Sequence, residues 1–482
     1  MLAVAHVLGL LLATFALAYL APAGCSLVMH DSLWGNFLIA GAITGGCGLL
    51  MAGATMRFRR DLKPRDGFLL VTLGWLFLPA AAALPLLLSL PDLTFTGAFF
   101  EAMSGLTTTG STVLNGLDAL APSLNFWRHS LEWMGGLGII VTSLAVLPLL
   151  GVGGMQLYKG AAPGALKDER LAPRIRKTAR ALWLVYVLLT AIGIVSLRAC
   201  GMSWFDAICH GFSAVGLGGF STHDRSIAFF DSAAIEFVLM VLMVIASLNF
   251  ARHLIALKSL SFEPYRTDPE AGASFALLAL SVLAIATLLA ANGVYPDFLH
   301  ALRHAGFNVI SQATTSGLTT QDYQSWPPFA PYWMLFLSCI VCSTGSTGGG
   351  IRMFRALVLV RQTGRELKLL IHPSAVTPVR IGGRAVPEGV GPAVLAFIFL
   401  YFVTVAVLTF AMLLTGLDFD SSFSAVVASI NNTAHGFGAP GAVHNFHSLS
   451  AMQTWICTAA MLSGRLEIFS VVVLLRPAYW RK

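Results

Sequence analysis

The sequence predicts an all-α polytopic membrane protein: four span–pore-helix–span repeats around a pseudo-fourfold pore, preceded by two extra transmembrane helices. Three observations carry that expectation: a scarcity of charge, ten apolar stretches of bilayer length, and four similar short segments set between successive pairs of those stretches. Of the 482 residues 56% are hydrophobic and only 11% charged, and the mean hydropathy is +0.76. A water-exposed surface ordinarily carries about 25% charged residues, so most of this surface faces hydrocarbon.

Crossing a bilayer takes about 20 apolar residues at roughly 1.5 Å rise each. Stretches of that kind lie near Leu2–Pro22, Trp34–Thr55, Phe68–Leu88, Phe126–Leu150, Ala181–Leu197, Ala234–Leu257, Ser274–Ala291, Tyr332–Val360, Val390–Leu414 and Leu449–Leu475. The first has no basic leader and a second follows at once, so it reads as a retained helix rather than a cleaved signal. Basic residues alternate with the spans. Arg57, Arg59, Arg60, Lys63 and Arg65 follow span two, and Lys159, Lys167, Arg170, Arg174, Arg176, Lys177 and Arg180 follow span four. Arg252, Lys258 and Arg266 end span six, Arg352, Arg355, Arg361, Arg365, Lys368, Arg380 and Arg384 follow span eight, and Arg476, Arg481 and Lys482 end the chain. Twenty-five of the 30 Lys and Arg therefore fall on one side. The positive-inside rule makes that side, with both termini, cytoplasmic. The net charge of +7 is accounted for by topology, and nothing points to nucleic acid. Among the seven cysteines, Cys339 and Cys342 form a CxxC on a predicted membrane helix, where small apolar packing is the expectation.

From span three onward each outer connection holds a short half-apolar segment followed by Gly, Thr, Ser or Asn. They read GAFFEAMSGLTTTGST (97–112), DAICHGFSAVGLGGFST (206–222), HAGFNVISQATTSGLTT (304–320) and SFSAVVASINNTAHGFG (422–438). Aligned without gaps, Ser104, Ser213, Ser311 and Ala428 coincide, as do Gly110, Gly219, Gly317 and Ala434. Such a repeat divides the chain into 1–60 (two helices), 61–158, 159–260, 261–370 and 371–482.

A half-helix of about ten residues is too short to cross, so it must enter and return. Irregular backbone at membrane depth is tolerated only where it lines a cavity or is buried in protein. Thr/Gly strands turn carbonyl oxygens to an axis, and four of them make rings that replace the water shell of a monovalent cation. Half-helix C-termini carry partial negative charge that favours a cation at depth.

The segments TTTG (107–110), HGFSAVGLGGFSTHD (210–224), TTSGLTTQD (314–322), STGSTGGGIR (343–352), NNTAHGFG (431–438) and GRLEIF (464–469) resemble those of the TrkH-type membrane subunits of the Trk/Ktr/HKT superfamily. The likeness covers nearly the whole chain. It implies potassium uptake across a bacterial inner membrane through a gated, channel-like pore. It also implies a homodimer with one pore per protomer and a cytosolic TrkA-like nucleotide-binding ring. No covalent cofactor is expected, nucleotide belongs to the partner, and potassium is the permeant ligand. Mapped onto this chain, the ion filter comprises Thr108, Thr109, Gly110, Ser111, Gly218, Gly219, Phe220, Thr315, Ser316, Gly317, Leu318, Thr433, Ala434, His435 and Gly436. Ala434 departs from the glycine usual in the family. A left-handed alanine costs on the order of 1 kcal/mol more than glycine, so either the strand takes another geometry or Gly436 assumes the role. That departure keeps a sodium-permeable or sodium-coupled transporter open as the alternative. A carrier of a small solute, with inverted repeats, fits less well with four loops entering from one side.

Span eight is interrupted by 343–350, where four glycines disfavour helix by about 1 kcal/mol each. By resemblance Gly345, Ser346, Thr347, Gly348, Gly349 and Gly350 form a gate loop; a helix kink packed against its neighbours is the lesser alternative. Arg465 lies inside span ten, where a guanidinium must face protein or water. It is expected to act as a barrier on the pathway or as a structural partner of Glu467 or Glu132. Glu101 on the first half-helix and its counterpart Asn308 are expected to tie half-helices to their neighbours. Outer aspartates such as Asp297 and Asp418 fit half-helix caps. An enzyme is not expected: there is no GxxxxGK[ST] and no HExxH, and STGSTGGG lacks the following Lys of a phosphate loop.

Overall fold

The computed structural model describes residues 1–60, 62–145, 171–438, 441 and 445–481. The end of span four and the basic residues Lys159, Lys167 and Arg170 lie outside the described residues. Helices dominate. The exception is a two-residue antiparallel pair, Arg380–Ile381 with Arg384–Ala385, in which Arg380 faces Ala385.

Six helices among the described residues are long and apolar enough to cross a membrane: Leu2–Met29, Trp34–Ala54, Arg65–Ser89, Lys177–Ala199, Pro269–Ala291 and Val390–Leu413. The first two cross where Gly9 meets Gly48, so closely that a Cβ on either would fall 2.6–2.7 Å from the other helix's backbone. Small residues that let backbones touch are the usual glue between helices in lipid. Span three bends where Pro85, lacking an N–H, leaves the Ala81 carbonyl free. The Tyr19 hydroxyl takes that carbonyl at 2.8 Å and the Trp127 indole takes Ala82 at 3.0 Å. The bend thereby locks the N-terminal helices onto the first repeat.

The other four expected spans are not simple rods. Span four, Pro122–Ala145, carries Arg128, His129 and Glu132 in its middle, all buried. Span six is two helices, Ala233–Ala246 and Phe250–Ser259, bent by 99°, and span ten is Ala451–Arg465 and Phe469–Leu475, bent by 110°. Span eight stops at Ile340 and resumes as a helix only at Met353. The continuous stretches read from hydropathy for spans six and ten are corrected here. Composition averages over a break, whereas Asn249 starts a new helix by accepting the Ala251 N–H at 2.9 Å. In span ten, Glu467 and the β-branched Ile468 adopt left-handed backbone, φ 55° and 42°, a conformation that ends a helix.

Four short helices lie between the paired spans: Phe95–Leu106, Trp204–Gly216, Phe298–Ala313 and Phe419–Asn431. Each is capped by a side-chain oxygen, from Thr94, Ser203, Asp297 and Asp418, accepting an N–H of the first turn. Asp297 and Asp418 are thus caps. Both carboxyls are held below the usual carboxylate range by these backbone N–H bonds.

Candidate ion-conduction site

Each half-helix ends in the same turn. The N–H groups of Thr109, Gly218, Ser316 and Thr433 donate to the carbonyls of Ser104, Ser213, Ser311 and Ala428 at 2.8–2.9 Å. These acceptors are the four residues that coincide in the sequence alignment. Backbone hand then alternates: Thr108 and Gly110 have φ 51° and 80°, Leu217 and Gly219 54° and 103°, Thr315 and Gly317 63° and 80°. A left-handed residue at every second position turns successive carbonyls toward one side of a strand, and glycine accepts that conformation without cost. In the fourth segment Asn432 is left-handed, φ 55°, whereas Ala434 and Gly436 are not. The strain expected of Ala434 therefore does not arise.

The four segments close on one another in cyclic order. A Cβ on Gly110 would run into the Gly218 carbonyl, one on Gly219 into the Ser316 carbonyl, and one on Gly317 into Ala434. The Ser111 hydroxyl donates to the Ala434 carbonyl at 2.8 Å, and the Asn432 amide donates to Thr109 Oγ1 at 3.1 Å, joining the fourth segment to the first. Thr108, Thr109, Gly110, Ser111, Gly218, Gly219, Phe220, Thr315, Ser316, Gly317, Leu318, Thr433 and Ala434 are all buried here. Gly436 backs onto its own half-helix, where a Cβ would lie 2.9 Å from Ser424 Oγ, and His435 is half-buried.

Each returning strand is also stapled to its own half-helix. Glu101 accepts from the Thr112 hydroxyl at 2.9 Å and the Val113 N–H at 3.0 Å. His210 Nε2 pairs with the Ser221 hydroxyl at 3.0 Å, Asn308 exchanges bonds with Thr320 at 2.9 and 3.2 Å, and Ser424 Oγ accepts the Phe437 N–H at 2.8 Å. Glu101, His210 and Asn308 share one alignment position. The expected tying role of Glu101 and Asn308 is what the geometry contains.

Arg128 escaped the sequence reading, and Glu132, expected as a partner of Arg465, has a different role. Arg128 Nε meets Glu101 at 2.7 Å with both side chains buried, and its guanidinium lies 4.1 Å from the Phe220 ring centre. Glu132 Oε1 accepts the Phe220 N–H at 2.8 Å, and its carboxyl fills the space beside Gly218. The signal was present: charged residues inside an apolar span demand buried partners.

The glycine-rich run lies against the C-terminal ends of the half-helices. The Thr347 hydroxyl donates to the Val215 carbonyl at 3.1 Å, the Gly349 N–H donates to Thr315 Oγ1 at 3.1 Å, and a Cβ on Gly349 would strike the Asn431 carbonyl. Its ends are tied elsewhere. The Thr344 N–H reaches Glu270 at 2.7 Å, the Ser343 N–H reaches the Ser247 carbonyl at 2.9 Å, and the Gly345 carbonyl accepts from Phe250 at 3.1 Å. The last two contacts satisfy groups freed by the break in span six. Gly348 abuts Cys342, whose thiol donates to the Thr314 carbonyl at 3.3 Å, and Gly350 backs onto Ser338 and Cys339. Cys339 and Cys342 are free thiols.

Arg465 donates to the Thr347 carbonyl at 3.0 Å and to the Gly135 carbonyl at 3.1 Å. Neither expected carboxylate pairs with it. Glu467 binds Arg355 at 2.5 Å and approaches Arg352 at 4.0 Å, because it lies past the helix end in the left-handed break that follows Arg465. Among the described residues no cluster of three or more His, Cys, Asp or Glu is placed to hold a metal ion.

Long apolar helices around four short helices with returning segments define a polytopic membrane protein. Residues 39–482 match the family profile of TrkH, described as a cation transport protein. The chain is 43% identical to the Trk system potassium uptake protein TrkH of Halomonas elongata over 99% of its own length and 98% of the relative's. It is 41% identical to TrkH of Escherichia coli K12 over 100% and 99%. The crystal structure of the potassium transporter TrkH from Vibrio parahaemolyticus superposes with a TM-score of 0.92 at 40% identity, covering 100% and 99% of the two chains. This chain belongs to the TrkH family.

Proposed function

We propose that this chain is the membrane subunit of a potassium uptake system, passing potassium down its gradient through the ring formed around Gly110, Gly219, Gly317 and Ala434. The observation that carries this reading is the cyclic closure of four segments, three of them with alternating backbone hand. A dehydrating cation needs several oxygens at once, and converging carbonyls supply them without net charge. The half-helix C-termini add partial negative potential. Residues 343–350 act as the gate: they pack against three of the four half-helix ends, so displacing them clears the region beneath the ring. Arg465 holds this run and places a fixed positive charge next to it. The relatives are named as Trk system potassium uptake proteins, which supports potassium as the cargo; the proposed assembly is a homodimer in the inner membrane with cytoplasmic termini, regulated by a cytosolic nucleotide-binding ring. The chain then falls into two leading helices and four repeats at 61–158, 159–260, 261–370 and 371–482. Sodium permeability through the same pathway is the second reading, favoured by Ala434.

Rubidium-86 or potassium uptake into proteoliposomes holding the full chain tests this. Gly110→Asp, Gly219→Asp and Gly317→Asp are each expected to abolish uptake while the protein remains in the membrane. Unchanged uptake in all three would reject the ring as the pathway.

A further inference from the structure

The second segment lacks a side chain where the other three carry a hydroxyl. Aligned with Gly218 stand Thr109, Ser316 and Thr433. Gly218 is not left-handed, so its backbone suits an L residue and the missing side chain is a matter of room. A Cβ there would lie 2.2 Å from Glu132 Cδ. Glu132 comes from the middle of span four and is fully buried. A carboxyl from a neighbouring span thus occupies the place that a threonine or serine of the strand itself fills in the other segments.

The same carboxyl sets the direction of the strand. Glu132 Oε1 accepts the Phe220 N–H at 2.8 Å, and Ser213 Oγ on the half-helix accepts the Gly219 N–H at 2.9 Å. In a planar trans peptide the N–H of one residue points opposite to the carbonyl of the residue before it. Each held N–H therefore sends a carbonyl the other way: that of Gly219 away from span four, and that of Gly218 away from its own half-helix. The Gly218 carbonyl accordingly meets the first segment, 2.0 Å from where a Cβ on Gly110 would stand.

We infer that Glu132 is a positioning residue for ion passage, standing in for the absent strand hydroxyl and fixing the Gly219 carbonyl as an ion ligand. This inference rests on the carbonyl-ring reading of the pathway. A carbonyl fixed before the ion arrives needs no turning when the ion sheds its water. Released from Glu132, the Phe220 peptide is free to rotate, and ion binding then includes the work of turning it back.

The test is rubidium-86 uptake by proteoliposomes of the full chain, measured against rubidium concentration. It is read as KM, which does not depend on protein yield; a scaffold role alone would lower the maximal rate at constant KM. Glu132→Met, similar in length but without an acceptor, is expected to raise KM by about tenfold, equivalent to about 1.4 kcal/mol. Glu132→Gln keeps an acceptor and should show a smaller rise. Gly218→Thr is expected to abolish uptake, because the added side chain and the carboxyl cannot share one space. Combining Gly218→Thr with Glu132→Ala should recover uptake. A wild-type KM in Glu132→Met overturns the inference; if that variant fails to reach the membrane, a double variant no better than Gly218→Thr alone does so instead. Gly317→Asp separates the pathway from the positioning. Uptake surviving Gly317→Asp defeats the pathway reading itself, whereas uptake lost there with a wild-type KM in Glu132→Met defeats only the role of Glu132.

Discussion

Arg465 and Thr347 are joined by a hydrogen bond of 3.0 Å from guanidinium to main-chain carbonyl, so the last long helix holds the glycine-rich run by its backbone. The second arm of the same guanidinium reaches Gly135 in span four. Arg465→Ala is expected to raise basal rubidium uptake several-fold, because both the tie and the charge disappear. Arg465→Lys keeps the charge but lacks the planar fork that serves two carbonyls, so its leak should fall between wild type and alanine. Loss of membrane-inserted protein in both variants would instead mark Arg465 as a structural post.

The Glu101–Arg128 pair is buried on both sides, and breaking such a pair leaves a stranded charge. Arg128→Met is expected to destabilise the detergent-solubilised protein by about 3–5 kcal/mol, seen as a lowered melting temperature. Combining it with Glu101→Gln should recover part of that loss. Equal melting points for the single and double variants would show that the pair is not coupled.

Gly464 and Gly135 sit where half-helix ends press on the neighbouring span: a Cβ on either would enter the Ile430 or Leu106 carbonyl. Gly464→Ala is expected to cost about 1–3 kcal/mol by overpacking, measured on the same melting curve, with Gly53→Ala as control because a Cβ there meets nothing.

At the outer surface, Asp118 accepts from the His223 ring at 2.5 Å and from the Asp224 N–H at 3.2 Å, linking the first and second outer connections. Burial raises the Asp118 carboxyl, but the His223 bond and the Asp224 N–H outweigh it and leave it below the ordinary aspartate value. A depressed carboxylate contributes stability that is present above the unfolded value, near pH 3.9, and lost as pH falls through the lower folded value. Asp118→Asn should therefore lower the melting temperature relative to wild type at pH 7, with the difference shrinking below about pH 4. A difference that does not change with pH would exclude ionisation as its source.

The cap at Asp418 offers a simpler case. It accepts the Ser421 N–H at 2.9 Å, and Asp418→Ala is expected to cost about 1 kcal/mol. Asp418→Ser should restore most of it, since a hydroxyl caps as well.

Much of this architecture is written in residue order. Hydropathy places the long spans because lipid imposes one length on all of them. The ungapped alignment through Ser104 brings together Gly110, Gly219, Gly317 and Ala434, the residues that meet in space, because a duplicated turn repeats its spacing. The breaks in spans six and ten were not legible. Ser247–Asn249 and Glu467–Ile468 are short and not glycine-rich, and their partners, Ser343, Gly345, Arg352 and Arg355, lie about 100 residues away. Ala434 was legible as an exception but not in its consequence, since the hand of a backbone depends on neighbours such as Ser111 that come from another repeat.

The meeting of Gly9 with Gly48 bears on movement. Two rods touching along their main chains leave no slack for a hinge, so spans one and two travel as a single plank, pinned by Tyr19 to the shoulder of span three. Displacement during a transport cycle then falls on the bent and interrupted helices, which have breaks to move at.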